Sequence, residues 1–334
     1  MRQEGKQSVI GKTGSILLPL AVYYAVYMVS LVILTYCLQS AGAEAVREAS
    51  LTGVVNGVSM LAGALVLLPA LRMELQGHRN GVRRHNGHAD RPNERQAMRK
   101  AWGILVTVVL AASSSVGLNI LLSLTGLVQN SSAYQDVAQR QYGVAFGVGL
   151  FLYTVVSPLA EEIVFRGVVY NRMRRYFQDT AGTGKSTARS QDAARAGKDG
   201  VQRRKAAGAG EAAGQRSDTA GTGAAQGADP AAVAAILASG VLFGIYHGNL
   251  VQGIYGCCMG ILMAYLYERS HAFRIPVLFH GAANCVVYLM AQNAVLQEKL
   301  FTVPCCAALF VVAVIMLIIV KKSDILQAMH RDVK

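Results

Sequence analysis

Five stretches of this chain, 16–38, 51–71, 101–128, 275–295 and 300–320, run without a single Asp, Glu, Lys or Arg. Each reaches or exceeds the roughly 20 residues a helix needs to cross the hydrocarbon core of a bilayer. In lipid every backbone N–H and C=O must be satisfied internally, so apolar runs of this length read as membrane-spanning helices. Three more stretches are shorter or interrupted. Residues 143–160 run into a pair of glutamates, 231–246 end at His247, and 250–267 follow directly. The resulting expectation is an all-α, polytopic membrane protein of about eight transmembrane helices. Of its residues 53% are hydrophobic but only 7% aromatic, and its charges are confined to a few blocks. The first span is too long for the apolar region of a cleaved signal peptide, so it reads as an anchor.

The formal net charge of +13 would suit a nucleic-acid binder, but its distribution excludes that reading. Residues 72–100 hold eight Lys/Arg and residues 172–216 hold eleven, while 39–50 and 129–142 hold one arginine each. Positive charge accumulates in short cytoplasmic loops. The alternation therefore reads as topology, with both termini cytoplasmic in an integral, multi-pass protein of the cell membrane. The bilayer is its expected surrounding partner, and no nucleic acid is expected.

Residues 178–229 contain no Leu, Ile, Phe, Tyr or Trp, and Val201 is their only branched aliphatic residue. Such a composition cannot bury enough apolar surface to offset the entropy of ordering, so a disordered, basic, Ala/Gly-rich cytoplasmic insertion is expected there. "GTGKST" at 182–187 looks superficially like a phosphate loop, but Asp179 stands where its first glycine should be and no strand precedes it. No nucleotide partner is expected. His78, His85 and His88 lie among arginines without carboxylate or thiol spacing, as in a solvated basic loop. The six cysteines all fall in spans and show no CxxC spacing, so they read as small apolar packing groups.

What remains at membrane depth is a short polar set: Glu161, Glu162 and Arg166 on the fourth span, His247 ending the fifth, and His280 and Asn284 on the seventh. Ionisable groups in hydrocarbon are costly and usually face the bundle interior at a site or pathway. Glu162 and Arg166 are spaced i,i+4 and can pair along one face, while Glu161 is rotated by about 100° from Glu162. Phe243 with His247, and His280 with Asn284, are also i,i+4 pairs. A carboxylate beside a histidine in a dry pocket suits general-base work, and an amide can donate to a developing oxyanion. Counted from Arg172–Arg175 and Arg274 at about 1.5 Å per residue, Glu161 lies roughly 16–20 Å deep and His280 and Asn284 roughly 9 and 15 Å. His247 comes out awkwardly deep, roughly 25 Å from Pro230.

In order along the chain, "EEIVFRG", "FGIYH" (243–247) and "HGAAN" (280–284) match an EExxxR, an FxxxH and an HxxxN element. Together they resemble the membrane-embedded CAAX-type prenyl endopeptidase family, also known as CPBP intramembrane proteases or the CAAX amino-terminal protease/ABI family. The resemblance covers roughly 143–295. It implies a protease core at 143–177 and 230–295, with three N-terminal spans in 1–142, the insertion at 178–229, and a last span and tail in 296–334. It further implies an endopeptidase acting on a membrane-associated peptide or lipidated protein, as in CAAX-box protein processing. Glu161 would activate water with His247, Glu162 would be the second, orienting acid paired with Arg166, and Phe243 would support His247. His280 would position these groups or the substrate, and Asn284 would be the oxyanion donor. No cofactor is expected on this reading. The alternative is a metalloprotease with zinc on Glu161, His247 and His280. The competing functions are a catalytically silent adaptor of the same fold and a polytopic transporter.

Overall fold

A computed structural model describes residues 9–40, 49–83, 94–182, 229–323 and 325–328, and among these every regular element is a helix. The long elements are α1 (Val9–Ser40), α2 (Ala49–Val66), α3 (Leu68–Arg83), α4 (Glu94–Leu124), the short amphipathic α5 (Ser132–Tyr142), and α6 (Phe146–Gly182). After residue 228 come α7 (Pro230–Tyr246), α8 (Leu250–Ser270), α9 (Arg274–Ala291), α10 (Ala294–Leu300), α11 (Val303–Lys322) and α12 (Ile325–Ala328). Among the described residues six helices are individually long and apolar enough to cross a membrane, and a seventh span arises if α2 and α3 count as one bent pair. The eighth expected span, α7, has 17 residues and falls just short on its own. The protein is thus a multi-pass, all-helical membrane protein.

The span expected at 51–71 takes the form of a bent pair, α2 and α3 meeting at Leu67 with a 50° bend. Pro69 has no N–H to give the carbonyl of Leu65, and its ring crowds that carbonyl, so the helix breaks one turn earlier. Leu67 N–H turns back to Ala64 O at 3.0 Å instead.

The described chain divides into two compact units, Met1–Met173 with Ile236–Lys334, and Arg174–Ala235. In the first, α4 packs against α9 and α11, and α1 packs against α2. A buried cluster of Val116, Ile120, Met290 and Cys306 joins α4, α9 and α11. Ser113 and Ser114 of α4 are buried and return their hydroxyls to Val109 O and Leu110 O at 2.7 and 2.6 Å, so they burden the apolar interior with no free donor. Val29, Val32 and Ile33 on α1 and Val311, Val314 and Ile318 on α11 are exposed, as a lipid-facing surface requires. All six cysteines are free.

The second unit lies on either side of residues 183–228. The insertion expected at 178–229 is narrower at both ends, since α6 runs on to Gly182 and Asp229 is ordered. Asp229 caps α7 by accepting from Ala231 N–H at 3.0 Å and pairs with Arg174 Nη2 at 2.6 Å. Burial alone would raise its carboxyl, but the hydrogen bonds from Arg174 and the backbone amides outweigh that and hold it below the usual carboxylate range. The rest of the expected insertion, and the side chains of His78, His85 and His88, lie outside the described residues.

Candidate active site

α6 is not uniformly α-helical. Two π-helical segments, Leu152–Val156 and Ile163–Val169, flank the α-helical turn Ser157–Glu162 that carries both glutamates. The first follows from Pro158, which has no N–H to offer. Ser157 N–H bonds Leu152 O, five residues back, so neither it nor Pro158 serves the carbonyl of Tyr153. Asn284 Nδ2 on α9 donates to that carbonyl at 3.0 Å. In the second segment Tyr170 N–H bonds Phe165 O, again five back. There Asn171 Nδ2 donates to the carbonyls of Arg166 and Gly167 at 3.2 and 2.9 Å. π segments of this kind are frequent at functional sites.

Glu162 and Arg166 are both fully buried, and Arg166 Nη1 donates to Glu162 Oε1 at 2.9 Å, the i,i+4 pair that the spacing predicts. Arg166 Nη2 donates to the carbonyl of Gly260 on α8 at 2.9 Å, and its guanidinium lies 4.6 Å from the centre of the Phe243 ring. The approach of α8 depends on glycine. A Cβ on Gly244 would sit 2.5 Å from the carbonyl of Gly253, and one on Gly260 would sit 3.0 Å from the Cα of Gly240. Small residues spaced four apart on both helices allow this seam.

Glu162 Oε1 also accepts from His280 Nδ1 at 3.0 Å. The opposite nitrogen of His280, Nε2, stands 3.8 Å from Glu161 Oε2, a neighbour too distant for a direct hydrogen bond. Glu161 is 6% exposed, and its Oε1 accepts from Ser157 Oγ at 2.9 Å. The arrangement is therefore a relay, Arg166 to Glu162 to His280 to Glu161. A fixed cation holds an anion, the anion holds an imidazole, and the imidazole faces a second acid.

His247 lies at the end of α7, with Nδ1 2.8 Å from Phe243 O. A carbonyl can only accept, so Nδ1 carries the hydrogen, and a neutral ring then keeps Nε2 as an acceptor. Phe243 stacks edge-on against both histidines, with centroid distances of 4.9 Å to His247 and 5.7 Å to His280.

These groups border one cavity of about 470 Å³, lined by Glu161, His247, His280, Asn284 and Phe243 among others. Glu162 and Arg166 do not line it and sit behind its wall. No described residue of Arg174–Ala235 lines it either. The zinc alternative requires Glu161, His247 and His280 to converge. Among the described residues no group of three or more His, Cys, Asp or Glu could hold a metal ion, while His247 and His280 each bond a protein oxygen through Nδ1 and leave Nε2 open.

Several cavity residues went unread in the sequence. Tyr153 and Ser157 stand eight and four residues before Glu161, a helical stripe that its position alone should have flagged. Asn56 and Asn119 are neutral amides inside apolar spans, a weaker signal of the same kind as a buried charge. Tyr27 Oη donates to Asn56 Oδ1 at 2.6 Å, which brings α1 and α2 into the site. Tyr246, whose hydroxyl lies 3.3 Å from that of the buried Tyr23, has no local pattern that announces it.

A protein-family model described as type II CAAX prenyl endopeptidase, Rce1-like, matches residues 220–286, about a fifth of the chain. That segment includes Phe243, His247, His280 and Asn284, while Glu161, Glu162 and Arg166 fall outside it. No curated protein and no solved structure matches the chain.

Proposed function

We propose that the protein is an intramembrane endopeptidase that hydrolyses a peptide bond of a membrane-associated peptide or protein, with both of its termini cytoplasmic. The observation that carries this reading is the relay ending at Glu161 on a cavity wall, in a helix that the membrane should otherwise keep free of charge. The motif resemblance and the match of 220–286 to a CAAX prenyl endopeptidase model support the same class.

On this reading the Glu161 carboxylate takes a proton from water as the water oxygen attacks the scissile carbonyl carbon. The same proton then passes to the departing amine nitrogen, leaving a carboxylic acid and an amine. Ser157 and the Glu162-held His280 orient Glu161, and His247 Nε2 accepts from the attacking water. One Nδ2–H of Asn284 is engaged by Tyr153 O, and its second is the amide donor available to the oxyanion. Arg166 neutralises Glu162 without touching substrate. No metal enters the scheme.

The test compares purified wild-type protein with Glu161→Gln on a peptide library in detergent or reconstituted membranes. Activity should fall by about 10²–10⁴, the range for loss of a general base. Wild-type activity should also survive exhaustive chelation. Activity lost to a chelator and restored by zinc would replace the glutamate scheme with a metal one. Full activity in Glu161→Gln would leave the adaptor reading in its place.

A further inference from the structure

The half of each helix that borders the cavity points consistently one way. Asn119 lies in the last turns of α4, Tyr142 ends α5, Tyr153 lies early in α6, His247 ends α7 and Gln252 lies in the first turn of α8. All approach the same set of connections: 125–145, 247–249 and 292–302. Among the described residues those connections hold Arg140 and Lys299 and no other Lys or Arg. The opposite helix ends hold, among the described residues of the same unit, Arg72, Arg95, Arg99, Lys100, Arg172, Arg269, Arg274, Lys321 and Lys322. An excess of this size marks the cytoplasmic side.

The wall chemistry adds a second constraint. Seven of the chain's fourteen tyrosines line the cavity, together with the amides of Asn56, Asn119, Gln141 and Gln252. Tyr27, Tyr246, Asn56, Asn119 and Gln252 already have protein partners, but an isoprenoid chain offers no hydrogen bond to the others, and each polar group left bare beneath one costs about 1–3 kcal/mol. A peptide segment brings its own N–H and C=O groups, and tyrosine rings supply flat apolar contact with a polar tip.

We propose that the cavity opens on the non-cytoplasmic side of the membrane, and that its substrate is an unprenylated peptide segment presented from that side. The word substrate rests on the hydrolase reading above, but the side of access does not. It also removes the awkward depth of His247. Measured from the side of the turn at 247–249, His247 lies at the near end of its helix.

The experiment labels Gln252→Cys and, independently, Gln141→Cys with a membrane-impermeant maleimide, using Arg95→Cys as the marker of the basic side. The unsubstituted protein sets the background of its six native cysteines. Right-side-out vesicles should label both glutamine variants, and Arg95→Cys should be labelled only in inside-out vesicles. The mirror pattern, or no labelling of either glutamine variant from either face, would overturn the access side. A peptide library with and without a C-terminal isoprenyl group, added outside the same vesicles, tests the substrate. Cleavage of plain peptides by right-side-out vesicles is expected, whereas cleavage by inside-out vesicles or a preference for the isoprenylated set would overturn it. Cleavage from neither face, with labelling as expected, would remove the hydrolase reading and the substrate half together while leaving the side of access established.

Discussion

In the first π segment of α6, the carbonyl of Tyr153 is taken up by Asn284 at the wall of a cavity. In the second, one turn of α-helix later, the carbonyls of Arg166 and Gly167 are taken up by Asn171, whose own amide also donates to Tyr267 Oη at 3.1 Å in closed packing. The two regions use the same device, a side-chain amide answering a carbonyl that the widened helix releases. They differ in what surrounds it. From the turn between them Glu161 reaches the cavity, while Glu162, at the end of that turn, is sealed with Arg166 of the second segment. Adjacent residues thus divide the work: one is placed where a reactant can reach it, and the next stabilises that placement. Substitutions on the cavity side should cost rate with the fold intact, and those on the sealed side should cost the fold.

The largest effect that bears on this division is at the cavity. His247→Ala should lose about as much activity as Glu161→Gln, and the double variant should be scarcely worse, because groups acting on one water are strongly non-additive. Thermal stability measured in the same detergent should stay close to wild type for all three. Simple multiplication of the two losses would separate the residues into independent roles.

Next in size comes Arg166→Ala. Glu162 Oε2 already has no hydrogen-bond partner among the described residues, so losing Arg166 would leave that carboxylate held by His280 alone. Removing one partner of a buried ion pair typically costs about 3–5 kcal/mol. Folded yield and melting temperature should therefore fall together with activity. Unchanged stability with lost activity would move Arg166 to the cavity side of the comparison.

The two asparagines give the sharpest pairing. If its free N–H serves the oxyanion, Asn284→Ala should lower the turnover rate by about 10²–10³. Asn171→Ala should lower stability by about 1–3 kcal/mol through its stranded carbonyls and leave the rate per folded molecule unchanged. Equal stability losses with equal rates would mean that Asn284 only fastens the π segment.

The smallest effect is expected from replacing 183–228 with a short Gly/Ser link while keeping Gly182 and Asp229. The composition of that segment offers almost nothing to pack, and loop length costs little closure entropy. Melting temperature and peptide cleavage should stay within error of wild type. A clear loss of either would give this segment a partner on the bundle.

Much of this was legible in the sequence because it depends on short-range periodicity. Uncharged runs mark the spans through the lipid's intolerance of unpaired backbone groups, and the basic blocks divide the two ends of the bundle. The i,i+4 spacing of Glu162 and Arg166 makes their pairing a local matter, and the same spacing links His247 to the carbonyl of Phe243. Tertiary structure decided what spacing cannot carry. That Glu161 rather than Glu162 meets the cavity goes with two π segments, which shift the helical faces away from a regular 3.6-residue repeat and involve Pro158, Asn284 of α9 and Asn171 farther along α6. That His280 bridges the two glutamates, and that Arg166 reaches the Gly260 carbonyl, requires contacts across 118 and 94 residues of chain. The end of the bundle at which the cavity lies emerges only when α1, α2 and α4–α9 are in place, since the groups that each contributes would alone pass for ordinary packing.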